Sequence, residues 1–370
     1  MSAIAQLCYS LLLFLFLGKN QGDVISLLLS YVIRHPAPLG GAWCVAVLVA
    51  VAATWSCRTL SHRCRQHGLP STLPHIVWAW AVTALVSLPL ATWLYQLGLA
   101  AVAACGIAAE WWRVRRYGQK QRFTTTAVIL LLLALFMGIG AAATDVDHYE
   151  LQTARLLRNG HHKRALEVGK QSLATTPRLF ALRCFAMSGT KGGLGNTLFS
   201  QPLPAQTSST CLLLPDDARQ ALLLPTDSLR NKLGGTSSHA DETAVNYFRR
   251  CAYAAGAHPG TAADYYLCAL LLDRRIDQFA RDIRTFYGHA LDGHGRLPHY
   301  YAEALVMYTR MRTTPAVIYH DSSIEANLHD FSEMGDTIAS PVARCNLLRR
   351  SYGDTYWWYF HYGNRPTPTR

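Results

Sequence analysis

The feature of this sequence that most limits its fold is an uninterrupted apolar run at residues 124–143, TTTAVILLLLALFMGIGAAA. A helix needs about 20 apolar residues to cross the hydrocarbon core of a bilayer. Basic residues crowd the segment just before this run, and acidic residues follow it at 145, 147 and 150. The run therefore predicts a membrane-spanning helix that separates a membrane domain, 1–144, from a soluble domain, 145–370.

Charge is distributed unevenly between these two domains. Residues 1–144 contain ten Lys and Arg against two acids, whereas residues 145–370 contain twenty-five against twenty-one. Basic loops next to apolar spans usually report membrane topology. We therefore expect the bilayer itself as a partner and no nucleic acid.

The number of crossings follows from the apolar segments without charged residues. One of them is about twice the length of a single span and contains Leu88 and Pro89, so it is expected to fold back as a hairpin there. The predicted spans lie near residues 2–18, 39–57, 72–88, 91–109 and 123–144. The sequence thus predicts about five transmembrane helices.

Two basic loops, 58–68 and 110–122, predict the orientation of these spans. Basic loops stay in the cytoplasm, which places the N-terminus inside and the domain after residue 144 outside. The alternatives are four spans with that domain inside, or one long buried helix at 69–109. Either would place one basic loop outside the cytoplasm. The chain is therefore expected to be a multi-pass membrane protein.

The start of the chain allows two interpretations. Residues 2–18 could be a signal peptide, but no basic residue precedes the apolar core and no small-residue cleavage site comes before Lys19, which favours an uncleaved anchor. Residues 24–33 are too few to cross and predict an interfacial helix. Because the spans contain no Asp, Glu, Lys or Arg, the membrane domain is interpreted as an anchor and not a transporter.

The second domain reads as helices throughout. Gly160, Ala165, Ser172 and Pro177 have the spacing of a tetratricopeptide (TPR) unit, in which small residues allow two helices to cross closely and a proline ends the second helix. Any antiparallel helix pair needs similar residues, so this single match leaves an ordinary hairpin open.

A second helical pair lies at 261–291. Leu267, Cys268 and Ala280 fall at the matching TPR positions, and apolar residues recur at three- and four-residue steps. Between 189 and 240 the pattern is interrupted by Pro, Ser, Thr and Gly, which predicts an irregular insert. The predicted fold class is all-α: transmembrane helices followed by a TPR-like array of helical hairpins.

Several histidines raise the question of a metal site. His289, His294, His299 and Glu303 are the candidate ligands. None of them has the helical His-x-x-x-His spacing that places two imidazoles on one face, and glycines surround them. We therefore expect a solvated loop with no metal and no cofactor. No catalytic motif such as G-x-S-x-G occurs, so no catalytic residue is predicted.

The aromatic ending, residues 351–363, SYGDTYWWYFHYG, is the last notable feature. Such aromatic density suits a cap that docks on the helical array, a contact with the membrane interface, or a platform for stacking a ligand. The sequence leaves these three interpretations open, and the residues that bind a partner stay unknown.

The chain as a whole resembles an uncharacterised membrane family of Bacteroidota, envelope proteins with N-terminal spans and a C-terminal TPR-like region. The resemblance depends on the segments at 22–43, 265–288, 297–308 and 353–360. It covers most of the chain, although this chain is short at its N-terminus. The resemblance implies an inner-membrane location and no known activity.

These observations favour a membrane-anchored, periplasm-facing helical-repeat scaffold of the cell envelope. Stacked helical hairpins form grooves that bind a protein or peptide without catalytic groups. The alternative is a membrane-associated envelope enzyme with its site in the His-rich loop, 289–303, and the insert, 190–240.

Overall fold

The computed structural model describes residues 3–118, 123–237, 241–256 and 258–363. Within these ranges the chain forms α-helices joined by turns and irregular segments, and it contains no β-strand. The prediction of an all-α fold is confirmed.

The chain divides into two compact units, Met1–Leu151 and Gln152–Arg370. The helices of the first unit are α1 (Ala3–Leu15), α2 (Gly22–Ile33), α3 (Leu39–Gln66), α4 (Leu73–Ser87), α5 (Trp93–Tyr117) and α6 (Phe123–Gly140). The domain boundaries expected from the sequence stay a prediction.

The α3 helix is central to the first unit. The α1 and α2 helices pack against it, and α4 packs against α3, α5 and α6. One side of α3 carries small buried residues at three- to four-residue steps, namely Ala42, Ala46, Ala50, Ala53 and Cys57. Small residues at this spacing let helix backbones approach closely, as in pairs of membrane helices.

Two helices in the described part of the chain, α3 and α5, are long and apolar enough to cross a membrane. The number rises to four if each of two bent pairs forms one span. The pairs are Ile4–Asn20 with Gly22–Ile33, and Thr124–Gly140 with Asp145–Arg158. Two to four candidate spans are compatible with a membrane protein, whereas five crossings are not shown. Residue 2 of the first predicted span and residues 119–122 of the second basic loop lie outside the described residues.

The second unit contains shorter helices. They are α7 (Asp145–Arg158), which crosses the boundary between the units, α8 (His162–Glu167), α9 (Pro177–Met187), α10 (Gly193–Thr197), α11 (Ala218–Leu223), α12 (Thr226–Lys232), α13 (Ala244–Ala254), α14 (Thr261–Leu272), α15 (Ile276–Leu291), α16 (His299–Met311), α17 (Ser322–Asp336), α18 (Pro341–Tyr352) and α19 (Tyr356–Tyr362).

Three helices of this unit are almost entirely buried: α9, α14 and α16. Each helix from α13 to α19 packs against the next one along the chain, and α16 also packs against α19. The residues that the TPR spacing singled out on α14 and α15, Leu267, Cys268 and Ala280, have no exposed surface. The hairpin at 261–291 is therefore present, with a close contact at its small residues.

The first expected TPR unit differs from the structure at its end. The α8 helix ends at Glu167, because Val168 is extended and Gly169 has a left-handed φ of 62°. Pro177 begins α9 instead of closing α8, and the hydroxyl of Thr176 accepts a hydrogen bond from the Leu179 amide at 3.1 Å as an N-cap. The expectation that Pro177 closes the second helix was wrong, and a TPR-like repeat is not shown.

The region expected to be an irregular insert contains the short helices α10, α11 and α12. Three leucines of this region, Leu194, Leu198 and Leu212, have no exposed surface. The α10 helix packs against both α14 and α16. A Cβ on Gly195 would come within 2.8 Å of Pro298 Cβ, so only glycine allows this approach. The insert is therefore part of the core of the second unit.

Candidate functional site

The four candidate metal ligands do not converge. His289 lies in the last turn of α15 and His294 in the glycine-containing segment after it, and both are exposed. Only His299 and Glu303 meet, with His299 Nε2 3.0 Å from Glu303 Oε1 across one turn of α16. In the ranges that the structure describes, no group of three or more His, Cys, Asp or Glu side chains is arranged to hold a metal ion.

Glu303 instead holds the aromatic ending in place. Its carboxyl is buried, and Oε2 accepts a hydrogen bond from the Tyr356 amide at 2.7 Å, at the first turn of α19. A negative charge at this position also interacts favourably with the helix dipole. Burial raises the pKa of the Glu303 carboxyl, while the hydrogen bonds from His299 and Tyr356 oppose that rise. The hydrogen bond to Glu303 raises the pKa of His299.

Arg274 holds the other end of α19. It occupies the turn between α14 and α15 with a left-handed φ of 56°. Its guanidinium donates to the carbonyl oxygens of Tyr359, at 3.2 Å, and Gly363, and it lies 5.4 Å from the centre of the Tyr359 ring. A cation at the C-terminal end of a helix complements the dipole there. The α19 helix is thus fixed by opposite charges at its two ends.

This attachment divides the aromatic residues of α19 into two sets. Tyr356, Trp357 and Tyr359 are buried in the unit, which confirms the interpretation of the ending as a docked cap. Trp358 and Tyr362, one turn apart, line an open groove, to which the largely buried Tyr359 also contributes. The groove has a volume of about 750 Å³, and we call it the α19 groove. Its lining includes Lys170, Phe199, Gln201, Pro202, Arg349, Arg350, Asp354, Trp358 and Tyr362.

The α19 groove has an excess of positive charge. Lys170, Arg349 and Arg350 line it together with one acid, Asp354. Within the described residues, none of these three cations has a carboxylate partner. The Arg349 guanidinium lies 5.7 Å from the centre of the Trp358 ring, and such stacking holds a guanidinium flat against an aromatic face while its edges stay able to donate.

Two polar atoms of the groove are buried without a partner among the described residues. They are the indole Nε1 of Trp358, a donor, and the side-chain oxygen Oε1 of Gln201, an acceptor. A buried polar atom without a hydrogen bond costs about 1 to 3 kcal/mol. Both atoms are enclosed by the protein and do not themselves face the open groove.

The partly buried carboxylate of Asp264 belongs to a different cluster. It accepts hydrogen bonds from the hydroxyls of Tyr287 and Tyr301 at 2.6 and 2.9 Å. Burial raises the pKa of both phenols and of Asp264, so the phenols keep their protons and donate. The Cys268 sulfur lies 3.5 Å from the Tyr301 hydroxyl. This arrangement joins α14, α15 and α16 and satisfies the carboxylate without a ligand.

The sequence pointed to only part of this groove. It singled out the aromatic ending and the insert, which contribute Trp358 and Gln201, but it placed the candidate site at the His-rich loop. The loop and the insert do meet, since the His299 amide donates to Asn196 Oδ1 at 2.8 Å. Lys170 and Arg349 were missed. The one signal that could have indicated Arg349 is its position at the end of the helix that immediately precedes the aromatic run.

Comparisons with known proteins add one result. No curated protein and no solved structure matches this chain. Residues 205–363, which contain α11 to α19, match a family model described as a family of unknown function (DUF6057). The match supports an uncharacterised domain in the second unit. The matched range includes Arg349, Arg350, Trp358 and Tyr362 of the α19 groove but not Lys170, Phe199 or Gln201. It does not extend to the N-terminal helices, and it says nothing of the source organism.

Proposed function

We propose that this protein is a membrane-anchored scaffold of the bacterial cell envelope whose second unit binds an extended, acidic segment of a partner protein in the α19 groove. The observation that carries the proposal is the grouping of Lys170, Arg349 and Arg350, which have no carboxylate partner among the described residues, with the rings of Trp358 and Tyr362 in one open groove.

The shape of the groove suits an extended polypeptide. The groove is open along its length, because a shallower cavity lined by Thr175, Pro204 and Thr207 continues it. An extended segment suits that shape better than a compact small molecule.

The charges and rings of the groove favour acidic and apolar side chains. Lys170, Arg349 and Arg350 would pair with carboxylates of the partner, and guanidinium groups do so with two parallel hydrogen bonds. Trp, Tyr and Arg are the residues that most often dominate the binding energy of protein interfaces. Trp358, Tyr362 and Arg349 supply all three.

The membrane location is part of the same proposal. The two to four candidate spans support an anchor in a membrane. The proposal adds, from the apolar segments and basic loops of the sequence, five crossings of the inner membrane with a cytoplasmic N-terminus and a periplasmic second unit. The buried hairpin at 261–291 supports a TPR-like helical array in the same unit as the groove.

Site-specific photocrosslinking in living cells tests the proposal. A photoreactive residue replaces Leu173, which lines the groove and is 75% exposed, or Ile318, which is 65% exposed and outside it. We expect a discrete adduct with one protein from position 173 only. Peptide mapping of that adduct should place the crosslink in an acidic segment.

Charge reversal provides the matched control. Arg349→Glu with Arg350→Glu should abolish the adduct at position 173, because the partner's carboxylates would be repelled. Arg281→Glu, an exposed arginine of α15 outside the groove, should leave it unchanged. Equal adducts at 173 and 318, or an adduct at 173 that survives charge reversal, would refute the proposed site.

A further inference from the structure

The basic ends of α3 and α5 lie at the same end of the first unit. Two hydrogen bonds join them through the start of α4. Ser61 Oγ donates to the Ser71 carbonyl at 2.6 Å, and Thr72 Oγ1 donates to Glu110 Oε1 at 2.8 Å. Because Ser71 and Thr72 are neighbours, α3 at Ser61 and α5 at Glu110 flank one short segment. The arginines near these two points therefore form one basic surface.

The acid at this end is already neutralised. Glu110 is buried, and Arg113 donates two hydrogen bonds to its oxygens, each at 2.7 Å. The remaining arginines of the surface are exposed and have no carboxylate partner in the described part of the chain. They are Arg58, Arg63 and Arg65 of α3 and Arg115 and Arg116 of α5. The surface thus has a concentrated positive charge that no described residue of the chain compensates.

Exposed aromatic rings accompany the arginines of α5. The guanidinium of Arg115 lies 5.2 Å from the centre of the Trp111 ring, and that of Arg116 lies 5.1 Å from the Trp112 ring. Trp111 and Trp112 are 47% and 56% exposed. Indole rings at the end of an apolar helix prefer the boundary between acyl chains and headgroups. A guanidinium stacked on such a ring directs its N–H groups outward, as bidentate binding of a phosphate requires.

We propose that this basic surface is a binding site for the headgroups of anionic phospholipids, with Arg115 and Arg116 contacting the phosphate and Trp111 and Trp112 lying at the acyl boundary. An anionic lipid fits better than a zwitterionic one, because a zwitterionic headgroup brings its own cation and leaves no net charge for the arginines. The inference depends on insertion of the first unit in a membrane and is independent of the α19 groove.

Fluorescence quenching in nanodiscs tests this inference on the full-length protein. One set of discs contains phosphatidylcholine with a minor fraction of brominated phosphatidylglycerol, and the matched set contains the same fraction of brominated phosphatidylcholine. Bromine quenches tryptophan only at short range. We expect stronger quenching with the anionic lipid, because phosphatidylglycerol would be enriched around Trp111 and Trp112.

Two variants locate the effect. Arg115→Gln with Arg116→Gln should reduce the enrichment about fivefold for each arginine removed. Lys19→Gln with Arg34→Gln, which removes two cations near the opposite end of α3, should retain the enrichment. Equal quenching by the two lipids in the wild type, or a preference that the first variant keeps, would overturn the proposal.

Two measurements on the wild type require no variant. Raising the salt from 20 to 500 mM should weaken the preference for phosphatidylglycerol, because surface charges are screened. A preference that salt does not change would contradict the site. Inorganic phosphate added at constant ionic strength should have no effect, and complete displacement of the lipid by phosphate would assign the arginines to a free anion and overturn the lipid proposal.

Discussion

At the scale of single residues, Glu303 and Arg274 connect the helical core to the surface that we propose to be functional. Glu303 binds the first turn of α19 and Arg274 binds its last carbonyls. The helix has only seven residues, and helices this short are not stable alone in water. The position of Trp358 in the groove therefore depends on two charged side chains that do not themselves line it.

The pair formed by His299 and Glu303 predicts a pH dependence. The pKa of His299 is raised by its hydrogen bond to Glu303, so the folded state binds the proton more tightly than the unfolded state does. The stabilisation is complete below about pH 6.5, the ordinary value for histidine, and is lost as pH rises through the raised pKa. We expect the urea midpoint of the wild type to exceed that of His299→Gln at pH 6, and the difference to shrink towards pH 9.

A neighbouring histidine provides the control for this titration. His294 is exposed in the segment between α15 and α16, and His294→Gln should follow the wild type at every pH. If the advantage of the wild type over His299→Gln were constant between pH 6 and 9, His299 would contribute by packing alone. Such a result would mean that the ion pair between His299 and Glu303 does not help to hold α19 in place.

The sequence could predict the contact between His299 and Glu303 but not the contact of Glu303 with α19. A spacing of four residues on a helix places His299 next to Glu303. The third partner, the Tyr356 amide, is fifty-three residues away along the chain, and no local pattern reports a contact of that length. The same limit applies to the groove, where Lys170, Gln201 and Arg349 come from three distant segments.

At the scale of secondary-structure elements, the small residues at helix contacts make a further prediction. Ala165 on α8 and Ala280 on α15 have no exposed surface. Ala165→Leu or Ala280→Leu should therefore overpack the core and lower the free energy of unfolding by about 1 to 3 kcal/mol. Chemical denaturation of the full-length protein in detergent measures the change.

Gln171 offers a matched position for the same enlargement. It is exposed in the irregular segment after α8, so Gln171→Leu should change the free energy of unfolding by no more than about 0.5 kcal/mol. The contrast between positions matters more than either value. Equal tolerance at all three positions would mean that α8 and α15 do not approach their neighbours closely.

Helical periodicity predicted the pair at 261–291 well, because α14 is almost wholly buried and α15 buries a regular apolar face. The same periodicity did not predict the point at which a helix ends because of its backbone conformation. Gly169 turns the chain with a positive φ, and the helix that was expected to continue to Pro177 ends at Glu167. The insert was predicted as irregular, but its packing on α14 and α16 depends on Gly195, whose role requires the tertiary structure.

At the scale of the whole molecule, composition separates an apolar, basic half from a half of balanced charge. The structure independently forms two compact units. Length and composition could identify candidate spans but could not determine their number. The α4 helix is apolar yet has only fifteen residues, and two other candidates are bent pairs. Whether a helix crosses the membrane depends on where the bilayer lies. The asymmetric distribution of basic residues predicts that position better than the length of an apolar segment does.

Topology is therefore the prediction that tests the whole molecule. A reporter enzyme that is active only outside the cytoplasm should work when fused after Asp147 and should fail when fused within the basic loops at 58–68 or 110–122. The physical reason is that moving clustered arginines across the membrane is costly, so both loops stay in the cytoplasm. Reporter activity in intact cells, normalised to the amount of fusion protein, measures the outcome.

The pattern of activity separates the alternatives. Activity after Asp147 with silence at both loops fits an odd number of crossings before residue 145, with the α19 groove exposed to the periplasm. Silence after Asp147 would place the second unit in the cytoplasm and remove an envelope partner from the proposed function. Activity at one basic loop would show that α4 and α5 do not cross as a pair, and it would also place the proposed lipid site of Arg115 and Arg116 on a different membrane face from the arginines of α3.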